Sequence, residues 1–458
     1  MAEQAHFMYC CGVRVGQNLE NENEYRMTPA ARVATSIEIL TAIASTDQPA
    51  DRVVNSQLRF RRFMGSRDRN VVANQVFRVL RHRSRYDWWL RQAQLPPMPR
   101  GWVVIDQAVH APTLFNSSFT GGRYGAAPLN GAEAQLALAV INNTLTPPDM
   151  PWYIRLEVPE WAAAELARSL GDRVEDEMEA MLNQAPLDLR ANTLKIERDA
   201  AISALAEEGI TGRSTQYSPV GIRVEGRQPL GSVQAFRDGY VEVQDEGSQL
   251  LAALVDARAG MHVLDLCAGA GGKSLAMAAM MQNRGRLSAC DIYEKKLERA
   301  RERMRRAGVQ NSRCRAISGT SDPWLKRHKW DYDRVLVDAP CSGTGTWRRN
   351  PDARWGTQGT NLDEINETQQ ALLHRGSSQV IPGGRVIYGT CSLLMRENED
   401  VVAKFLEEHP DFFLVPASSV LPEVATGDFL KLTPAQHDTD GFFGAVLERR
   451  EDVEPTDD

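Results

Sequence analysis

Apolar residues recur at helical spacing from Ala30 to about Gln92, as Val33, Ile37, Leu40 and Ile43 and then Val72, Val76, Val79 and Leu80. Pro96-Pro97-Met98-Pro99 interrupts that pattern. A further helix is predicted over Ala132 to Ile141, and Pro147-Pro148 ends it. Residues 27–145 therefore read as an all-helical domain. Between 150 and 240 the pattern is mixed. Trp161 to Leu170 and Asp176 to Asn183 predict helices, while Asp188 to Ile196 and Gly221 to Glu225 predict strands, which makes this an α+β connecting subdomain. From Gly260 onward short apolar strands (Val263 to Leu266, Leu287 to Asp291, Val335 to Asp338, Arg385 to Gly389) alternate with helices such as Leu275 to Met281 and Glu294 to Arg306. That alternation predicts a doubly wound α/β sheet over residues 241–450. Residues 1–26 show no periodicity and read as a disordered leader, and 451–458 as an acidic tail.

With 458 residues, 42% hydrophobic and 25% charged, the chain has the balance of a multidomain globular protein. No apolar run approaches the roughly 20 residues that span a bilayer, and the first 25 residues carry no secretory signal. A cytoplasmic protein without membrane contact, expected to be a monomer, is the reading. Its seven cysteines are odd in number and form no CxxC pair, which argues against a disulfide framework or a zinc site; no metal is predicted. The net charge of -7 at first opposes nucleic-acid binding, but twelve arginines stand between Arg52 and Arg100 against only Asp68 and Asp87. In Arg59-Phe60-Arg61-Arg62-Phe63 arginines alternate with aromatics, a pairing suited to phosphates and unpaired bases. Arg59, Arg61 and Arg62 are thus candidate RNA contacts, whereas Trp88-Trp89 read as core.

The loop Cys267-Ala268-Gly269-Ala270-Gly271-Gly272-Lys273 follows the first strand of the α/β region, where such sheets bind their ligands. Its glycines permit a tight turn, and the next helix presents free N–H groups. Asp291 ends the second strand, twenty residues after Gly271, where a carboxylate can accept hydrogen bonds from ribose hydroxyls. Two rival loops fit worse. A P-loop needs glycine where Cys267 stands, and a dehydrogenase fingerprint needs one where Ser274 stands.

Asp338-Ala339-Pro340-Cys341 and Thr390-Cys391-Ser392 each follow an apolar strand, so both thiols are expected at the sheet edge that carries the cofactor loop. Carbon 5 of cytosine is a poor nucleophile. A thiolate added to carbon 6 makes the ring enamine-like and able to take a methyl group. The thiol must first ionise, and Asp338 is placed to hydrogen-bond the ring during addition. Methyltransferases acting on exocyclic amines carry Asp/Asn-Pro-Pro-Tyr at the Asp338 to Cys341 position, and cytosine-5 enzymes acting on DNA carry one cysteine, on the earlier strand. Two cysteines on two strands is a narrower pattern, although spacing leaves open which one attacks. Cys290, Cys314 and Cys267 read as packing residues.

These stretches resemble the RsmB/Sun family of RNA cytosine-5 methyltransferases. The resemblance covers Val243 to Gln249, the loop Asp265 to Lys273, Asp338 to Gly345, Arg348-Arg349-Asn350-Pro351-Asp352, Thr390-Cys391-Ser392, Asp440-Gly441-Phe442-Phe443 and Arg190-Ala191-Asn192. Residues 27–145 resemble, less specifically, the NusB-like RNA-binding domain of the bacterial rRNA enzymes. The resemblance implies a Rossmann-like class I methyltransferase fold, S-adenosyl-L-methionine as cofactor and small-subunit (16S) rRNA as substrate. It also implies Cys391 as nucleophile and Cys341 as the residue that assists product release. Cofactor contacts are then expected from Cys267, Ala268, Gly269, Ala270, Gly271, Gly272, Lys273, Asp291, Ser318 and Asp338. Arg190, Arg348 and Arg349 join the candidate RNA contacts. The chain departs from the family in two places: Gly269-Ala270 replace an Ala-Pro pair, and Ser318-Gly319 stand where an Asp is usual, with Asp322 nearby as a substitute. The competing expectation is a non-catalytic RNA-binding assembly factor on the same fold.

Overall fold

The computed structural model describes residues 26–226, 230–356 and 361–452, so nearly all of the expected leader and acidic tail lies outside the described residues. From Pro29 to Ile141 the chain is helical, with its longer helices at Pro29–Ala44, Ala50–Phe60, Ser66–Arg81, Arg83–Gln92, Pro99–His110 and Gly131–Ile141. Their apolar stripes meet in one core built on Val33, Leu40, Val72, Val76, Leu80, Leu90, Ile105 and Leu136. One buried carboxylate, Asp106, organises the polar part of that core. It accepts two bonds from Arg78 at 2.7 Å, one from Gln75 at 3.0 Å and one from the Tyr86 hydroxyl at 3.2 Å. Trp89 is buried and its indole N–H donates to the Leu145 carbonyl.

The connecting subdomain holds strands β1 (Leu187–Ala191), β2 (Gly212–Ser214), β3 (Gly221–Val224) and β4 (Val241–Val243), ordered β2-β3-β1-β4 and antiparallel in every pairing. The first strand stops short of the predicted Ile196. Asn192 turns the chain, with its side-chain amide donating to the carbonyls of Gly239 and Ala307, both at 2.8 Å. The second of these bonds ties the subdomain to the helix Glu294–Ala307 of the α/β region.

The α/β region contains β5 (His262–Asp265), β6 (Arg286–Asp291), β7 (Ser312–Ala316), β8 (Tyr332–Asp338), β9 (Val380–Thr390), β10 (Phe412–Val415), β11 (Leu430–Leu432) and β12 (Phe442–Arg449). The order is β10-β12-β9-β8-β5-β6-β7, with β11 paired to β12. From β7 to β9 the pairings are parallel, and β12 runs antiparallel to its neighbours. This is the predicted doubly wound sheet. The chain reverses its build direction between β5 and β8, so ligands are expected beyond the carboxyl ends of those strands. Asp265, Asp291, Asp338 and Thr390 stand at those ends.

Candidate active site

Strand register brings the two cysteine segments together. Asp338 pairs with Gly389 across β8 and β9, and the Ala339 amide extends the ladder to the Gly389 carbonyl at 2.8 Å. Each chain then leaves its strand and turns. Cys341 and Cys391, both buried, meet with their sulfurs 3.3 Å apart.

The two turns are held by one buried side chain. Glu397 is fully buried and accepts bonds from the Ser342 amide at 2.8 Å, the Ser342 hydroxyl at 2.5 Å, the Ser392 hydroxyl and the Gln369 amide at 3.2 Å. Ser342 and Ser392 are the residues directly after the two cysteines. Three further bonds brace the same place. The Gln369 amide also donates to the Pro340 carbonyl, the Tyr388 hydroxyl to the Glu397 carbonyl and the Asn398 amide to the Ser392 carbonyl. Gly345 fills the gap between the turns. Its amide donates to the Cys391 carbonyl at 2.9 Å and its carbonyl accepts from Gly441 at 2.7 Å. A Cβ on Gly345 would lie 2.2 Å from the Gly441 oxygen, so only glycine fits there.

Electrostatics keep the resting Cys391 protonated. The hydrogen bond with Cys341, burial and the nearby charges of Cys341 and Asp338 together push its thiol well above the ordinary range. Asp338 itself is ion-paired to Lys273 at 2.7 Å, and that ammonium also lies over the Phe442 ring. Lys273 is the last residue of the glycine loop, so one contact joins the cofactor side to the thiol side.

The loop is a closed turn. Gly269 and Gly271 adopt left-handed backbone angles, φ 54° and 80°, and Gly272 begins the next helix. Asp291 accepts the Gly269 amide on one oxygen and the Tyr293 amide on the other, both at 2.8 Å. Each oxygen retains a lone pair for a ribose hydroxyl. Ala270, which stands in place of a proline, has its carbonyl bonded by Arg303 at 2.7 Å, an external clamp on this stretch of loop. At the third strand, Ser318 does not stand alone: its amide and hydroxyl donate to Asp322 at 2.8 and 3.1 Å. Those amides, with that of Trp324, hold Asp322 below the usual carboxylate range and so ionised.

Residues 252–448 match the family description "16S rRNA methyltransferase RsmB/F", and residues 158–231 match the ferredoxin-like domain of RsmF/B-like methyltransferases. The chain is 31% identical over 297 residues to the Synechocystis protein named "Probable ribosomal RNA small subunit methyltransferase B", a match covering 64% of this chain and 66% of that protein. Over residues 158–448 the chain belongs to the RsmB/F methyltransferase family. The chain thus spans 66% of the length of the curated relatives it matches. A methyltransferase homologue from Pyrococcus horikoshii superposes with a TM-score of 0.55 at 27% identity, covering 65% of this chain and 97% of that one. The protein PH0851 superposes at 0.72 over 91% of this chain and 99% of its own, and at 23% identity shows shared fold alone. S-adenosyl-L-methionine is the cofactor an RsmB/F methyltransferase implies, and the glycine turn with Asp291 behind it fits that molecule.

Three of the RNA candidates are corrected by their surroundings. Arg348 and Arg349 bind carboxylates of the protein itself. Arg348 bonds Asp440 at 2.8 Å and Asp438 at 3.2 Å, and Arg349 bonds Asp440 at 2.6 Å and Asp245 at 2.9 Å. Burial alone would raise Asp440, but these guanidiniums pull it below the usual range; burial and the Asp440 charge push Asp245 up to about 7. Arg190 is buried, bonded to Gln244 at 2.8 Å and lowered to about 10 by burial. Arg354, on the same segment as Arg348, is buried against the carbonyls of Glu157 and Met181. The guanidiniums of all four are bonded to partners within the protein. Arg61 is half-buried and spent on Glu38 and Gln57, whereas Arg59 and Arg62 are exposed.

The residue that sequence reasoning missed is Glu397. Its only signal is a position six residues after Cys391, among other acids in Arg396-Glu397-Asn398-Glu399-Asp400 that give no sign of burial. Two outcomes follow from this geometry. Glu397→Ala removes the acceptor shared by two hydroxyls and two amides around the thiols, and should cost about 3 kcal/mol or more of stability in chemical unfolding. Cys341→Ala removes the first cause of the raised Cys391 pKa. The pH profile of iodoacetamide alkylation at Cys391 should therefore move to lower pH, and a profile unchanged or moved upward would contradict the coupling.

Proposed function

We propose that the protein is an S-adenosylmethionine-dependent rRNA methyltransferase that acts in the cytoplasm as a monomer and makes 5-methylcytosine through a covalent adduct on Cys391, with 16S rRNA as its substrate. The single observation that carries this reading is the meeting of Cys341 and Cys391 at 3.3 Å beside the Asp338–Lys273 pair. Packing alone does not require two thiols to converge at the ligand edge of a sheet. Methylation of an exocyclic amine has no use for either.

Bound S-adenosylmethionine supplies an electrophilic sulfonium methyl group. Asp291 and the turn Cys267 to Lys273 are the residues to hold it, with Ser318 and Asp322 on the adenine side. Cys391 would pass its proton through the Asp338 carboxylate to the ring nitrogen as its sulfur bonds carbon 6 of the cytosine, and carbon 5, made nucleophilic by the displaced ring electrons, would take the methyl group as the methyl–sulfonium bond breaks and the neutral thioether leaves. The Asp338 carboxylate, held in place by Lys273, would accept from the amino group and, once that nitrogen is protonated, from the ring nitrogen. Cys341, within reach of the Cys391 sulfur, would assist release by hydrogen-bonding it as it departs: carbon 5 gives its proton to a water, the ring electrons return, and the sulfur–carbon 6 bond breaks to leave Cys391 as a thiolate. The pocket is buried, so the target base must be single-stranded or turned out of its helix to enter.

Cys391→Ala should abolish both product and adduct. Cys341→Ala should let a covalent protein–RNA adduct accumulate on denaturing gels. Reversed outcomes would exchange the two roles, and bisulfite sequencing of RNA from cells with and without the gene that shows no cytosine losing protection would end the reading. Titration calorimetry should detect S-adenosylmethionine binding, weakened several-fold by Asp322→Ala; no heat at millimolar ligand would remove the cofactor assignment.

A further inference from the structure

Between the helical domain and the catalytic region lies a cleft of about 620 Å³ lined by Arg52, Asn55, Ser56, Arg59, Phe60, Arg62 and Arg299. Residues 52, 55, 56, 59 and 60 recur at helical spacing on Ala50–Phe60, so one face of that helix forms the wall, opposite Val53, Val54 and Leu58 in the core. Arg299 comes from the other side, on the helix Glu294–Ala307. All four arginines are exposed, and among the described residues none has a carboxylate within ion-pair distance. In a chain of net charge -7 four unneutralised guanidiniums around one cleft form a local positive field. Phe60 is 81% exposed at its rim, an aromatic face that no core claims.

Each wall of the cleft contacts a segment that also contributes to the candidate site. The amide of Ala50, first in its helix, donates to Asp352 at 2.9 Å, eleven residues after Cys341. Along the other wall, Arg303, one turn beyond Arg299, bonds the cofactor loop at Ala270. The helix of eleven residues runs about 16 Å away from the Asp352 contact. A strand whose target base sits at Cys391 thus has a basic track leading off the catalytic loop.

We infer that this cleft holds single-stranded RNA next to the target nucleotide, with phosphates on Arg52, Arg59, Arg62 and Arg299 and one base stacked on Phe60. The inference rests on the RNA-methylating reading above. Duplex RNA does not suit it, because a paired base cannot lay its face on Phe60.

The test uses the full chain and a fluorescein-labelled single-stranded oligocytidylate, with affinity measured across a potassium chloride series. Each phosphate contact contributes about 0.7 to the slope of log affinity against log salt. Arg59→Ala/Arg62→Ala/Arg299→Ala should therefore flatten the slope by about 2, while S-adenosylmethionine binding stays at the wild-type value. Phe60→Ala should weaken binding about five- to a hundred-fold with the slope unchanged. An unchanged slope in the triple variant overturns the inference, as does a duplex of equal length binding as tightly and losing as much. The two readings fail separately. Wild-type protein that shows the slope but makes no 5-methylcytosine leaves the cleft standing and removes the methylation; product formation with an unaltered triple-variant slope does the reverse.

Discussion

A single buried carboxylate sets the geometry of the pocket. Two loops end two parallel strands, and the ladder between β8 and β9 stops at Asp338 and Gly389. Glu397 supplies the missing constraint by accepting bonds from Ser342 and Ser392 together, so neither cysteine can shift without breaking a bond shared with the other. A charge buried this deeply is costly unless every lone pair is used. Four donors on two oxygens meet that condition. The positions of the two thiols are thus held by a residue other than the cysteines themselves.

A second circle of charge lies outside the first and works in the same sense. Arg348 and Arg349 leave the Cys341 loop and close on Asp440 and Asp245. Asp440 precedes Gly441, whose amide bonds Gly345 beneath the Cys391 carbonyl. The ion-pair cluster thus fixes the end of β12 against both cysteine turns. Its members come from parts of the chain about two hundred residues apart, which makes the connecting segment at Asp245 part of the active-site scaffold rather than a passive linker. It also accounts for two arginines that follow Cys341 in sequence and bond carboxylates within the protein.

The sheet was legible in the sequence because its strands are short apolar runs bounded by acids and glycines. Asp265, Asp291 and Asp338 each stand at a strand end, and that placement identified the ligand edge before any fold was known. The pairing of Cys341 with Cys391 was legible from the same rule. What a one-dimensional reading could not supply is burial of charge. Arg190, Arg348 and Arg349 look like free cations because their partners, Gln244, Asp440 and Asp245, lie 54 to 104 positions away. Glu397 was hidden for the opposite reason: it sits in a charged run that suggests solvent. The arginine-aromatic stretch divided in the same way. Arg78 is taken by Asp106 and Arg61 by Glu38, while Arg59, Arg62 and Phe60 remain at the surface.

The altered cofactor loop shows how a local departure can be absorbed by a distant contact. Proline would stiffen the loop by restricting the unfolded chain, and Ala270 gives up that effect. Arg303 holds the Ala270 carbonyl at 2.7 Å and is itself held by Glu242, to which Arg306 also binds. Glu242 lies in β4 of the connecting subdomain, so the restraint on the loop runs through a different sheet. Bonds made only in the folded state replace a restraint that acts on the unfolded one. The loop's order then depends on the connecting subdomain staying docked, a dependence that a proline in the loop would not have created.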